Sequence, residues 1–129
     1  MTDEVPAPLK PVKWIGSSKK DLVALPWELK REFGFALDQA QRGKKHDDAK
    51  PLKGFGGAGV LEVVEDFQTD TYRCVYTVRF ENAVYVLHVF QKKSKKGIAT
   101  PKHVVDLIKQ RLKLAEDDYM QWSKSNEQH

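Results

Sequence analysis

The sequence predicts an α+β fold, and three observations support this prediction. Apolar residues recur at helical spacing in two segments, residues 29–40 and 104–115. Between these segments, residues 60–91 hold three apolar, β-prone runs separated by short polar turns. With 129 residues and a hydrophobic share of 40%, the chain can fill one core. We therefore expect a small twisted antiparallel sheet that packs against an N-terminal helical hairpin and a C-terminal helix.

The N-terminal part predicts a strand followed by the helical hairpin. Residues 11–15 form a short apolar strand, and Ser18 is a good N-cap for a short helix over 19–24. Pro26 suits the first turn of a second helix, and Gly43 suits its C-terminal cap. One face of the second helix is apolar and should be buried: Leu29, Phe33, Ala36, Leu37 and Ala40.

A long connection over residues 44–59 leads to a three-stranded meander. The strands are expected over 60–67, 72–80 and 83–90, with a tight hairpin turn at Glu81–Asn82. Side chains alternate between the two faces of a strand. We expect one set in the second strand to lie in the core and the other set to be partly exposed: Arg73, Val75, Thr77 and Arg79.

The last helix and the domain limits follow from the remaining residues. Thr100 can cap a helix that has Pro101 in its first turn. The chain then divides into a flexible tail over 1–9, a single domain over 10–122 and a frayed tail over 123–129.

Positive charge is concentrated after the meander. The net charge of +4 is only mildly basic, so its distribution is more informative than its sum. Between Glu81 and Asp106 there is no acidic residue, and this interval holds Lys92, Lys93, Lys95, Lys96 and Lys102. A positive patch at the end of a sheet attracts polyanions. The sequence therefore indicates an anionic partner, RNA.

Several kinds of site and location are not expected. Cys74 is the only cysteine, so one chain can form neither a disulfide nor a cysteine-based zinc site, and a reducing cytoplasm is the expected setting. The four histidines lack metal-ligand spacing, so we expect no metal and no cofactor. The glycine-rich residues 54–59 precede a strand, whereas phosphate-binding glycine loops follow one. No signal peptide and no membrane contact are expected.

Basic side chains near the end of the sheet are the candidate site, and each has a structural alternative. The planar fork of Arg73 can clamp a phosphate, or Arg73 can be a solvated partner of Glu62 or Glu65. For Arg79 the ion pair is the favoured interpretation. His88 is a candidate because imidazole titrates near neutrality, although a histidine in a strand is more often structural.

The lysines have the same two interpretations, a solvated loop or an anion site. We assign five residues to catalysis: Arg73, Lys92, Lys93, Lys53 and His88. We assign four residues to RNA binding: Lys95, Lys96, Arg79 and Lys102.

Three stretches of the sequence, PLKGFGGAGVLEV, TYRCVYTV and VYVLHVFQKKSKK, resemble the RelE/ParE superfamily of toxins, in its phage-derived, HigB-like branch. The resemblance covers residues 10–119. It implies the toxin of a type II toxin–antitoxin pair. It also implies a metal-independent endoribonuclease that cuts mRNA on the ribosome through attack of the RNA's own 2′-hydroxyl. The implied partners are mRNA, the ribosome and a cognate antitoxin with a helix-turn-helix DNA-binding domain.

The resemblance also implies roles for individual residues. Arg73 matches the strand arginine that contacts the scissile phosphate, and Lys92, Lys93 and Lys53 lie where relatives carry basic residues. The first meander strand departs from the pattern, because it carries Glu62 where some members have lysines. Two alternatives stay open: a ParE-like protein that inhibits DNA gyrase without enzymatic activity, and a plain RNA-binding module.

Overall fold

The computed structural model of the protein describes residues 9–57, 59–92 and 100–127. Three helices and five strands lie in this part of the chain. The helices are α1 (Ser18–Val23), α2 (Trp27–Gln41) and α3 (Lys102–Glu127). The strands are β1 (Val12–Trp14), β2 (Ala49–Pro51), β3 (Val60–Phe67), β4 (Asp70–Thr77) and β5 (Val84–Lys92).

The five strands form one sheet in the order β1-β5-β4-β3-β2. Neighbouring strands are antiparallel except β1, which runs parallel to β5. The α+β class is confirmed, and the sheet is mixed at one edge. The short β2 lies within the long connection over residues 44–59, for which the sequence predicts no strand. The helix hairpin is also confirmed, and α2 ends as expected, because Gly43 adopts a φ of 76° and its N–H donates to the carbonyl of Ala40.

Each face of the sheet has its own apolar core. One face packs against α1 and α2 through a cluster that includes Leu29, Phe33, Val63, Cys74 and Tyr76. The opposite face packs against α3 through a cluster that includes Val75, Tyr85, Leu87, Ile108 and Leu112. Because helices cover both faces, the sheet positions of β4 are buried on both sides.

The expected exposure of one face of β4 is therefore wrong for most of its residues. Arg73 is 5% exposed, and Val75 and Thr77 are fully buried. Alternation within a strand identifies the two faces, but it does not show that a second layer covers the more polar one. The long C-terminal helix supplies that layer.

The connection between β4 and β5 is also longer than the expected tight turn. β4 ends at Thr77, and β5 begins at Val84. Thr77 Oγ1 accepts the N–H of Arg79, which turns the chain away from the sheet. Phe80 then stacks on Tyr119 of α3 with ring centroids 4.6 Å apart. Burial of this aromatic ring favours the longer loop over a two-residue hairpin.

At its C-terminal end, α3 continues to Glu127, beyond the limit at residue 122 that the sequence predicts for the domain. The division of the chain into tail, domain and tail stays a prediction. Within the described ranges, no helix combines the length and the apolar character that crossing a bilayer requires.

Candidate functional site

An open cavity of about 810 Å³ lies where the loop after α2 faces β3, β4 and the start of α3. Its lining is rich in charge of both signs. The basic side chains are Lys50, Lys53 and Arg73, and the acidic side chains are Asp47, Asp48, Glu62, Glu65 and Asp66. The cavity is therefore mixed in charge, and not purely basic as the lysine-rich sequence suggests.

Arg73 is fixed in the wall of this cavity by two contacts. Its Nη1 lies 2.9 Å from Oε2 of Glu62 and donates a hydrogen bond of 3.2 Å to Oγ1 of Thr100. In the register of the sheet, Arg73 lies opposite Val64 and Glu62 opposite Val75, so the two charged residues are diagonal neighbours on one face. The Arg73 and Glu62 side chains are only 6% and 14% exposed. This is a buried ion pair, and Arg73 is not solvated in the way the structural alternative assumed.

Lys92 lies beside this pair at the end of β5. It is opposite Thr71 in the register and is buried. Burial lowers the pKa of the Lys92 ammonium, and the charge of Arg73 lowers it further, whereas Glu62 acts in the opposite direction. The arrangement therefore brings together two cations and one carboxylate, with a lysine that gives up its proton more readily than usual.

The chain matches a known protein family. This family, described as phage derived protein Gp49-like (DUF891), matches residues 20–113, which is more than half of the chain. The chain belongs to this family. The phage-derived branch named from the sequence motifs is thereby confirmed.

One solved structure with a similar fold is the toxin–antitoxin complex RelBE2 from Mycobacterium tuberculosis. The similarity covers 67% of this chain and 94% of that chain, at 24% sequence identity and a TM-score of 0.44. A comparison with curated proteins finds no match.

In this Gp49-like protein, Lys53 joins the site and His88 does not. Lys53 is exposed and lines the cavity with Arg73. His88 lies outside the lining and contacts other groups: its Nδ1 is 3.1 Å from Nη1 of Arg111, and its ring stacks on Phe90 at 4.5 Å. Burial and the charge of Arg111 lower the pKa of His88 to about 4. A neutral imidazole in this position supports the packing of α3 on the sheet.

Two of the residues assigned to RNA binding make ion pairs outside the cavity. Exposed Arg79 pairs with Glu116 of α3, which agrees with the structural interpretation favoured for it. Exposed Lys102 lies 3.4 Å from Asp106, one helical turn along α3. The predictions for Lys93, Lys95 and Lys96 fall outside the described residues.

Sequence reasoning did not assign a role to Glu62 or Thr100 in this site. The sequence predicts Glu62 only as a surface partner of Arg73, and it predicts Thr100 only as a helix cap. The signal for Glu62 is its diagonal position to Arg73, which depends on a strand register that turn residues and alternation did not fix.

A second polar cluster, consisting of Glu32, His46, Asp48 and Glu65, was also not predicted. One ligand-type atom from each residue lies within 4.8 Å of the others. Histidine spacing along the sequence gives no sign of it, because the cluster draws on α2, the loop after it and β3.

Proposed function

We propose that this protein is the toxin of a toxin–antitoxin pair and that it cleaves mRNA without a catalytic metal. The observation that carries the proposal is the buried ion pair of Arg73 and Glu62 at the wall of an open cavity, with the buried Lys92 beside the pair. The sequence motifs that resemble RelE/ParE toxins support it. A preorganised set of cations beside a carboxylate suits a reaction that builds negative charge on a phosphate.

The chemistry can be assigned to the three side chains. The carboxylate of Glu62 takes the proton of the RNA 2′-hydroxyl, whose oxygen attacks the adjacent phosphorus. Arg73, beside Glu62, stabilises the extra negative charge of the five-coordinate phosphorus. Lys92 gives a proton to the 5′-oxygen as the bond from phosphorus to that oxygen breaks. The products are a 2′,3′-cyclic phosphate and a 5′-hydroxyl, so protons and bonds balance without a metal or cofactor.

The lowered pKa of Lys92 suits its role as the acid. A general acid works best when its pKa approaches the working pH, and burial beside Arg73 moves the pKa of Lys92 in that direction. Exposed Lys53, which also lines the cavity, provides a contact for a neighbouring RNA phosphate.

Mapping of mRNA ends after induction of the protein tests the proposal directly. We expect new 5′-hydroxyl ends within coding sequences, and their 3′ counterparts should carry a cyclic phosphate or a 3′-phosphate. Purified protein with RNA and no ribosome should give the same ends in the presence of EDTA. A 3′-hydroxyl product, or dependence of cleavage on added magnesium in that ribosome-free assay, would contradict the mechanism.

A non-enzymatic inhibitor of DNA gyrase is the second candidate. The observation in its favour is that Arg73 is 5% exposed and already ion-paired within the domain, as a structural arginine would be. Pulse labelling separates the two functions. Ribonuclease activity should lower protein synthesis before DNA synthesis, whereas a gyrase inhibitor should lower DNA synthesis first and produce gyrase-linked breaks.

An antitoxin with an acidic segment is the proposed partner. Exposed Lys50 and Lys53 line the cavity and can pair with acidic side chains of a partner, which would block RNA entry there. Co-expression should yield a complex whose affinity falls as salt rises. A complex that leaves Lys53 as accessible to chemical labelling as in the free protein would argue against this mode of inhibition.

A further inference from the structure

The cluster of Glu32, His46, Asp48 and Glu65 has no part in the proposed cleavage, and its composition calls for a separate explanation. Glu32 comes from α2, His46 and Asp48 from the loop that follows, and Glu65 from β3. Asp48 and Glu65 also line the edge of the cavity. The cluster therefore joins three separate parts of the chain at a point that solvent can reach.

His46 is the buried member of the cluster. It is 5% exposed, and its Nε2 lies 2.9 Å from Oε1 of Glu32. Its Nδ1 accepts the backbone N–H of Asp48 at 3.0 Å. Since Nδ1 is an acceptor, the proton of the neutral ring is on Nε2 and is donated to Glu32. His46 thus holds the Glu32 carboxylate in one orientation and keeps its own nitrogens occupied.

Glu65 carries the observation that points to a ligand. Its Oε1 is buried and has no hydrogen-bond partner. Among the ion pairs of the described residues, none links Asp48 or Glu65 to a lysine or arginine. Three carboxyl groups therefore meet at a buried oxygen atom without a protein cation between them.

We propose that Glu32, Asp48 and Glu65 bind one hard divalent cation of the Mg²⁺, Mn²⁺ or Ca²⁺ class, with His46 as the outer hydrogen-bond donor that orients Glu32. Such cations prefer carboxylate oxygens and complete their coordination with water, which the open cavity supplies. Zinc prefers a direct histidine nitrogen, and in His46 both nitrogens already make other hydrogen bonds. The bound cation fastens the loop after α2 to β3.

This site is distinct from the proposed cleavage chemistry, and it does not depend on that function. The cation stabilises the folded chain by binding it in preference to the unfolded chain. Removal of the cation should lower the melting temperature without changing the kind of RNA end produced.

Electron paramagnetic resonance with Mn²⁺ tests the proposal on the purified full chain. We expect the signal of free Mn²⁺ to fall in a saturable way, with one site and a dissociation constant below about 1 mM. Added Ca²⁺ or Mg²⁺ should restore the signal. Glu65→Gln and Asp48→Asn should each weaken Mn²⁺ binding at least about tenfold, and the melting temperature should rise with Mn²⁺ in the unchanged protein but not in these two variants.

Asp47→Asn is the matched control, because Asp47 is an exposed acid next to Asp48 that lines the same cavity but lies outside the cluster. It should leave Mn²⁺ affinity unchanged. Circular dichroism establishes that each variant is folded. Equal affinities for Asp47→Asn and Asp48→Asn, or no saturable Mn²⁺ binding, would overturn the site. Tighter binding of Zn²⁺ that His46→Gln abolishes would overturn the assignment of oxygen ligands.

Discussion

Nη1 of Arg73 and Oε2 of Glu62 lie 2.9 Å apart within a sheet that is covered on both faces. Both charges are buried, so each depends in part on the other for compensation. This relationship alters what mutation of the proposed site should do, because loss of activity and loss of folding become linked in single variants.

Arg73→Ala should destabilise the protein by about 3–5 kcal/mol, because Glu62, whose side chain is only 14% exposed, loses the cation that lies 2.9 Å away and keeps only Lys92 nearby. The double variant Arg73→Met with Glu62→Met should recover most of that stability, since two apolar side chains replace the pair. Urea denaturation measures both. A single variant as stable as the unchanged protein would contradict the buried pair, and an inactive but stable double variant separates catalysis from folding.

Lys92→Met should lower RNA cleavage on the order of a hundredfold, which corresponds to about 3 kcal/mol in the barrier. The fold should be retained, because a buried ammonium is replaced by an apolar side chain of similar length. Single-turnover cleavage gives the rate, and a thermal melt gives the stability. Lys113→Met is the control, since Lys113 is exposed on α3 and lies outside the cavity lining, and this variant should cleave RNA at the normal rate.

His88 should make the protein less stable in weak acid. Its pKa is about 4 in the folded protein, against 6.5 ordinarily. Between these values the unfolded chain binds more protons than the folded chain, so stability is intact above about pH 6.5 and falls as the pH drops towards 4. His88→Gln does not titrate in this window. Urea midpoints from pH 7 to pH 4.5 should fall more steeply for the unchanged protein; parallel curves would refute the prediction.

Gly59→Ala should destabilise the protein by about 1–3 kcal/mol. Gly59 has a φ of +68°, and a Cβ there would lie 3.1 Å from the backbone nitrogen of Arg79, which cannot move aside as a flexible side chain could. Gly57→Ala is the matched control, because nothing lies within 4 Å of its added Cβ. The control should fall within about 0.5 kcal/mol of the unchanged protein in thermal melts.

The sequence predicted helix α2 well because its apolar face, its first turn and its glycine cap all indicate the same element. The face of β4 was predicted less well. Arg73 and Thr77 are polar, and local alternation places polar residues towards solvent. Their burial depends on α3, which is more than twenty residues away in the sequence and contributes Ile108 and Leu112 to that layer. The alternation within a single strand does not show whether a distant helix covers its more polar face.

The candidate site was predicted in part for the same reason. Arg73 and Lys53 line the same cavity, and their assigned roles stay a prediction. Glu62 enters through the register of β3 on β4, and His88 is held away from the cavity by its contacts with Arg111 and Phe90. Residue type indicates which groups can carry charge, whereas strand register and helix packing decide which charges meet.

The parallel pairing of β1 with β5 has a consequence for the order in which the protein is completed. Val12 pairs with Val84, and more than half of the chain lies between them. Chains leave the ribosome from the N-terminus, so β1 is made long before its partner strand β5. Arg73 is likewise made before Thr100, its hydrogen-bond partner just before the last helix. A chain still in synthesis therefore lacks both the β1–β5 pairing and the contact of Arg73 with Thr100 until the C-terminal part of the domain has been made.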